Sequence, residues 1–373
     1  MNPGISSLTI KGFRSIRQLE LKDLGRVNLI TGRNNIGKSS VIEALTLLMS
    51  GGSLAALNMI LWNREELSGE SQENSRPLNI EMPPPVVSFF PGSPPISEIC
   101  DPVVLMGNGG SRSFSLDIYA GYWVEEGDAN GSKLKFLRSG QPNFGQAAGI
   151  PALEISTGAR RFFLRLNQLQ PKLGEAYARV EPRAVPFVFV NPYCGSRTAE
   201  YEAQWDRIAL SDLEKEVVRA LKILDPGITG VSMVGAGDGA NQVRHAIVRS
   251  NAFSHPVPLR SFGDGMNRVF AIVLSLVSSK NGYLFIDEFE NGMHHTLQLD
   301  VWRIIFRLSA TLNVQVFATS HSWDTVEAFQ KAAAEEPSAG LLVRLSKKGE
   351  SLIATPFRED ELAIATREHI EVR

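Results

Sequence analysis

The 373-residue sequence is 43% hydrophobic and 21% charged, enough apolar material for one large core or two moderate ones, and its formal net charge of −2 offers nucleic acid no global attraction. Cys100 and Cys194 are the only cysteines and stand far apart, so neither a disulfide framework nor a zinc site is indicated. The start, MNPGISSLTIKGFRS, lacks a signal-peptide core, and the longest apolar stretches, such as Phe270 to Val277, are too short to cross a bilayer; the expected location is cytoplasmic, with no membrane partner.

Leu8 and Ile10, then Leu19 and Leu21, alternate as in short strands, and the buried-type run Val27-Asn28-Leu29-Ile30 ends at Gly32. Lys11, Arg14, Arg17, Lys22, Arg26, Arg33 and Lys38 outnumber Glu20 and Asp23 here, which reads as a solvated surface beside a phosphate site or as a DNA-contacting edge. A helix follows from Ser39 to Met49, on Val41, Ile42, Leu45, Leu48 and Met49, with Gly51-Gly52 as its stop. Between strand and helix, Gly32-Arg33-Asn34-Asn35-Ile36-Gly37-Lys38-Ser39 fits G-x-x-x-x-G-K-[ST], the loop whose backbone N–H groups curl around phosphates. Lys38 is expected to reach the β and γ phosphates of ATP and Ser39 to ligate Mg²⁺, with Ser40 completing the binding segment.

Residues 51–185 change character, with Pro83-Pro84-Pro85, Pro91, Pro94-Pro95 and short alternating segments, and predict an inserted β-rich lobe with long loops. A strand is expected at Phe187 to Val190, then a helix through Leu210, Leu213, Val217, Leu221 and Leu224, with Ser211 and Glu214 at capping-box spacing and Asp225-Pro226-Gly227 as its end. No sustained heptads occur, which excludes a long coiled coil.

From Arg260 onward helices at 265–279, 295–310 and 322–334 alternate with strands at 283–287, 314–319, 341–346 and 351–356, before a short helix near 359–367. This implies an α/β fold with a mainly parallel core sheet, split as 1–50 and 186–373 around the inserted lobe, and with an antiparallel N-terminal β portion. The apolar strand Tyr283-Leu284-Phe285-Ile286 runs into Asp287 and Glu288, where a parallel sheet binds its ligands. Asp287 suits Mg²⁺ through water, and Glu288 suits orienting or deprotonating the attacking water. Val314 to Ser320 is a second such strand, and His321 at its end, 33 residues after Glu288, fits a γ-phosphate sensor. Ser322 and Asp324 beside it lack the nucleophile elbow of a hydrolase triad.

The order of these motifs, with a glycine-rich segment near 261–268, resembles ABC-type P-loop ATPases of the RecF/SMC superfamily. Gly12-Phe13-Arg14-Ser15-Ile16, Asp287-Glu288-Phe289-Glu290-Asn291-Gly292-Met293-His294 and Ala318-Thr319-Ser320-His321-Ser322 are similar to the OLD-like AAA_15/AAA_21 branch. That resemblance implies an ATPase forming a homodimer with composite ATP sites, in which Ser261-Phe262-Gly263-Asp264-Gly265-Met266-Asn267-Arg268 stands in for the signature LSGGQ. Ser261, Gly263, Asp264 and Gly265 then face the partner's ATP; either Ser261 or Asp264 is the contact, and Asp264 would need a cation such as Arg268, while a plain helix N-cap at Asp264 is the bland alternative. Glu290 to His294 would form the loop that meets the partner. His294 and His295, as neighbours on a helix, would not face one another as a metal pair. The glutamine loop is not assignable among Gln72, Gln141, Gln146 and Gln168.

Only 52 residues follow His321, too few for a Toprim nuclease domain, and Glu359, Asp360 and Glu361 read as a helix N-terminus. The resemblance therefore implies an isolated ATPase serving a separate effector protein, as in bacterial anti-phage systems, or a DNA transaction. A nucleotide-gated scaffold with negligible turnover and a RecF-like DNA repair ATPase remain the alternatives. A small-molecule kinase would have an arginine-rich lid and no signature, and a GTPase would need N-K-x-D, which is absent.

Overall fold

The computed structural model describes residues 4–66, 84–110, 112–128, 131–141, 149–158, 160–166, 185–192, 198–236, 243–336, 339–349, 351–368 and 370–372. β1 (Ser7–Phe13) and β2 (Ile16–Leu21) form a tight antiparallel hairpin with Phe13 opposite Ile16. β3 (Val27–Thr31) is buried at every position and belongs to a different sheet. α1 (Lys38–Ser50) stops at Gly51, whose left-handed backbone, φ 63°, turns its N–H back to the carbonyls of Leu47 and Leu48.

A second helix, α2 (Leu54–Asn63), stands where the sequence reads as β-rich; Ser53 caps it by accepting the Ala56 N–H, and Ala56, Leu57, Ile60 and Leu61 form its buried stripe. β4 (Val103–Gly109), β5 (Arg112–Asp128), β6 (Gly131–Arg138), β7 (Ile150–Thr157) and β8 (Arg161–Arg165) then extend the first hairpin into one seven-stranded sheet, ordered β2-β1-β4-β5-β7-β8 with β6 on β5. Leu8 lies opposite Gly107 and Ile10 opposite Leu105, so the inserted segment shares a sheet with the chain's first strands. Of the proline-rich part, residues 67–83 lie outside the described residues. Its 3-10 turn Pro85–Phe89 buries Val86, Val87 and Phe89, and the Phe89 ring stacks 5.9 Å from Phe13.

β9 (Phe187–Val190) starts the second half, followed by α3 (Thr198–Ile208) and α4 (Asp212–Leu224). Ser211 accepts the Leu213 N–H at 3.2 Å, while Glu214 reaches Leu210 N–H at 2.5 Å, one residue further back than a capping box requires. β10 (Ile228–Ala236), β11 (Val243–Ser250) and β12 (Val257–Pro258) make a three-stranded sheet that the sequence did not announce. Then come α5 (Asp264–Ser278), β13 (Tyr283–Ile286), α6 (His295–Leu312), β14 (Gln315–Thr319), α7 (Trp323–Glu335), β15 (Gly340–Lys348), β16 (Ser351–Phe357) and α8 (Glu359–Arg367). The core sheet runs β16-β15-β3-β14-β13-β9, parallel throughout except for β16.

Its strands read as unbroken apolar runs because both faces are covered. Leu29, Leu284, Ile286, Val316 and Ala318 point into the core formed with α3 to α8, while Ile30, Tyr283, Phe285 and Phe317 point into the core shared with α1, α2 and the seven-stranded sheet. Among the described residues no helix is long and apolar enough to cross a membrane.

A buried charge network ties the β1–β2 turn to α1 and α2. Arg14 Nε lies 2.5 Å from Glu43 Oε2, Arg64 Nε donates to Glu43 Oε1 at 2.6 Å, and Glu66 accepts from Arg14 at 2.8 Å and from Ser88 at 2.8 Å. Burial pushes the Glu43 carboxyl up, and Arg14 and Arg64 oppose that shift. Glu43→Ala removes the carboxylate shared by the buried Arg14, which keeps Glu66, and the partly exposed Arg64, so it should destabilise the protein by about 1–3 kcal/mol. Urea denaturation measures this, and an unchanged midpoint would show the network to be dispensable.

Candidate active site

The carboxyl ends of β3, β13 and β14 meet at one edge of the parallel sheet, where side chains from three distant segments converge. Gly32 follows β3 with φ 145°, and a side chain there would press within 2.7 Å of the Leu345 carbonyl. Asn35, φ 61°, and Gly37, φ 108°, complete the curl of the loop. Arg33, Asn34 and Asn35 are exposed, Ile36 and Gly37 are half-buried, and Ser40 is buried in the first turn of α1. Beside Gly37, within 3.6 Å of where a Cβ would stand, sits the Ser15 hydroxyl of the β1–β2 turn. This turn is a wall of the loop that spacing alone could not place.

Lys38 is 9% exposed and its Nζ donates to the carbonyls of Gly32 at 2.7 Å and Arg33 at 3.0 Å. Burial holds its pKa below the ordinary lysine value, against the opposing pull of Glu290, Asp287 and Glu288. Ser39 Oγ donates to Asp287 Oδ1 at 3.1 Å, and the Thr319 hydroxyl donates to the same oxygen at 2.5 Å. A serine hydroxyl beside a carboxylate is the donor set that Mg²⁺ accepts with waters filling the other positions, so these residues fit the metal. Thr319 Oγ also accepts the Glu288 N–H at 2.9 Å, so one hydroxyl fixes both members of the acidic pair. Glu288 itself is left-handed, φ 48°; burial pushes its carboxyl up, helped by Asp287 and Glu290, with the Lys38 ammonium opposing.

His321 lies at the same edge, held by Glu290, whose Oε1 accepts the His321 main-chain N–H at 2.9 Å and stands 3.0 Å from Nδ1. Arg268 is not the surface cation that Asp264 was expected to need. It is 2% exposed and its guanidinium donates to the main-chain carbonyls of Asn191 at 2.7 Å, Asp287 at 3.1 Å and Glu288 at 3.0 Å. Asp264 is not the N-cap either. Gly263, φ 94°, holds that position without a side-chain bond, and Asp264 is the first helical residue. Ser261, Gly263 and Asp264 are exposed and Gly265 is half-buried, so this helix end faces outward, and Arg268 one turn on links it to the Asp287-Glu288 backbone.

Several other expectations fare differently. The rings of His294 and His295 do approach, at 4.2 Å, because His294 is the extended N-cap of α6 and stands outside the helix; no group of three metal-binding side chains occurs among the described residues. Of the basic residues of the N-terminal segment, Arg14 and Lys38 are buried and Lys22 pairs with Glu20 at 3.2 Å. Gln141 is exposed in the turn after β6, and Gln72, Gln146, Gln168 and Cys194 lie outside the described residues. Cys100 is exposed and unpaired, and Glu359, Asp360 and Glu361 form the first turn of α8 as expected.

Comparison with known proteins agrees with this geometry. Residues 4–82 match AAA_15, the AAA ATPase domain, and residues 147–326 match AAA_21, described as AAA domain, putative AbiEii toxin, Type IV TA system. An ATP/GTP phosphatase of Helicobacter pylori is 24% identical over 365 residues, covering 90% of each chain. The DNA replication and repair protein RecF of Bacillus cereus is 31% identical over 83 residues, which are 21% of this chain and 22% of RecF. In fold, an Smc head bound to the C-winged helix domain of ScpA superposes with a TM-score of 0.54 at 12% identity, covering 97% of this chain and all of that one. An Smc head with an extended coiled coil, bound to the C-terminal domain of ScpA derived from Pyrococcus furiosus, gives 0.51 at 10% identity over 99% of this chain and 100% of its own.

Proposed function

We propose, from the premise that the chain is an ABC-type P-loop ATPase of the RecF/SMC class, that it hydrolyses ATP with Mg²⁺ and that nucleotide draws two copies together to control an effector protein. The observation that carries this reading is the convergence of Lys38, Ser39, Asp287, Glu288 and His321 on one sheet edge. Mg²⁺, when bound, supplies charge neutralisation across the β and γ phosphates. Gly32 to Ser39 cradle the phosphates with main-chain N–H groups and the positive end of α1, and Lys38 exchanges its two carbonyl partners for phosphate oxygens. Ser39, and Asp287 through water, would hold Mg²⁺. Glu288 takes a proton from the attacking water, a task for which a raised carboxyl pKa is suited near neutral pH.

Dimerisation follows from the outward-facing end of α5. Its first-turn N–H groups, around Gly263 to Gly265, make an anion site with no phosphate of its own, while a P-loop leaves one face of the γ-phosphate open. Ligand that prefers the closed pair shifts the equilibrium toward it. The effector is inferred from the two Smc heads of like fold, each with a domain of ScpA bound. The part-length likeness to RecF favours DNA as the alternative partner.

Gly265→Arg tests the clamp, because a Cβ at Gly265 has room, meeting Leu297 Cδ1 at 3.4 Å and the Gly292 carbonyl at 3.6 Å, and circular dichroism checks that the variant is folded. Light scattering with Mg-ATP should show the parent protein doubling in mass and Gly265→Arg staying monomeric while still binding nucleotide. A variant that dimerises like the parent would sink the assignment of this segment to the interface.

A further inference from the structure

Glu290 is the acidic residue at this edge to which the chemistry above gives no task. It sits in a tight turn after β13: the Asn291 N–H donates to Glu288 O at 3.0 Å, the Met293 N–H donates to Glu290 O at 3.0 Å, and Asn291 Nδ2 anchors the turn to Pro192 O at 2.8 Å. The preceding Phe289 is fully buried and stacks on Trp302 with ring centroids 4.1 Å apart. The Glu290 carboxylate is therefore delivered by a rigid element, and its side chain is only 12% exposed.

The main chain at His321 is also fixed, while its ring is exposed. The Ser320 N–H donates to Ile30 O at 3.1 Å, which pins the chain just before the histidine to the end of the P-loop strand. Glu290 Oε1 then accepts the His321 main-chain N–H at 2.9 Å and meets Nδ1 at 3.0 Å. An ionised carboxylate has no hydrogen to give, so a bond to Nδ1 requires the proton to be on Nδ1. The neutral ring must then carry its lone pair on Nε2.

We propose that Glu290 is a positioning residue that keeps a proton on Nδ1 of His321, so that the imidazole in its neutral form offers Nε2 to the reactants as a hydrogen-bond acceptor. Nε2 then receives a hydrogen from the attacking water and aligns it beside Glu288. The histidine acts on the nucleophile, where a phosphate sensor would donate to the γ-phosphate. This rests on the hydrolytic reading of the site for its kinetic consequence, but the tautomer itself does not.

The test has a kinetic and a spectroscopic arm, applied to the full chain and to Glu290→Ala, Glu290→Gln and His321→Asn. Nitrogen-15 NMR of labelled histidine distinguishes the two tautomers, and His321→Asn identifies the signal among the six histidines. The parent should show His321 protonated at Nδ1, with that preference lost in Glu290→Ala and kept in Glu290→Gln, whose amide oxygen still accepts both bonds. Glu290→Ala should lower kcat roughly 100-fold with little change in KM for ATP, the expected cost of a reactant held out of line. Glu290→Gln should fall between the two. An Nε2-protonated His321 in the parent overturns the proposal, as does a Glu290→Gln protein as slow as Glu290→Ala with the tautomer kept, because charge would then be the operative property. A parent without ATPase activity would overturn the hydrolytic reading, and the NMR would still decide what Glu290 does.

Discussion

Lys38→Ala should all but abolish binding of Mg-ATP. The ammonium is buried in the curl of the loop and donates to two main-chain carbonyls, so it is positioned before nucleotide arrives and loses little freedom in turning to phosphate. A hydrogen bond to a charged group contributes about 1.5–3 kcal/mol, so losing two such bonds to phosphate corresponds to a Kd about 10²- to 10⁴-fold weaker. Burial and the neighbouring carboxylates add to this, since Asp287, Glu288 and Glu290 would confront the γ-phosphate without a protein cation between them. Titration with a fluorescent ATP analogue measures the loss, with circular dichroism to confirm that the variant is folded. Unchanged affinity would remove Lys38 from the binding site.

Glu288→Gln should separate binding from turnover. The glutamine keeps the size of the side chain, the main-chain N–H bond donated to Thr319 and the carbonyl bond accepted from Arg268 that hold this left-handed residue, φ 48°, so the site should retain its shape. What it loses is the base, and hydrolysis should drop by about 10²- to 10⁴-fold while Kd for ATP stays within a few-fold. The pH dependence carries a sign. Burial and the adjacent Asp287 push the Glu288 carboxyl up, and only its ionised form accepts a proton, so the parent rate should rise with pH along a limb displaced above the ordinary glutamate range. In Glu288→Gln that limb should vanish. Phosphate release measured from about pH 5 to about pH 9 decides it, and a variant of parental rate would move the base elsewhere.

Much of this site was legible in the residues because its parts are local. Gly32 to Ser39 is one continuous loop, and Asp287, Glu288 and His321 each follow a strand whose unbroken apolar run marks it as buried on both faces. The parallel sheet and the bounds of α8 could be read for the same reason. What escaped depends on long-range partners. Arg268 looks like a surface cation until the carbonyls of Asn191, Asp287 and Glu288 close around it. Thr319 is an ordinary strand residue until Asp287 is brought to its hydroxyl. The β1 to β4 pairing joins segments about a hundred residues apart, and no local periodicity reports it, so the strands of 103–165 looked like a separate lobe. α2 was hidden by the glycines and prolines around it, although its cap, Ser53, is a usual one.

The place of β3 in the core sheet has a bearing on how the chain acquires its activity during synthesis. Val27 pairs with Val316 on one side and Gly340 on the other, so the strand that carries the phosphate loop gains neither neighbour until the chain has been made past Val316. Contacts of such sequence separation are slow to form, because the entropy of closing the intervening chain must be met before they reward it. At a translation rate of about 20 residues per second, roughly 15 seconds pass between the emergence of the loop and that of its first flanking strand. A nascent chain arrested in that interval has the whole glycine motif without the two strands that flank β3 in the core sheet. The shape of the phosphate loop is therefore set only after the strands at Gln315–Thr319 and Gly340–Lys348 exist.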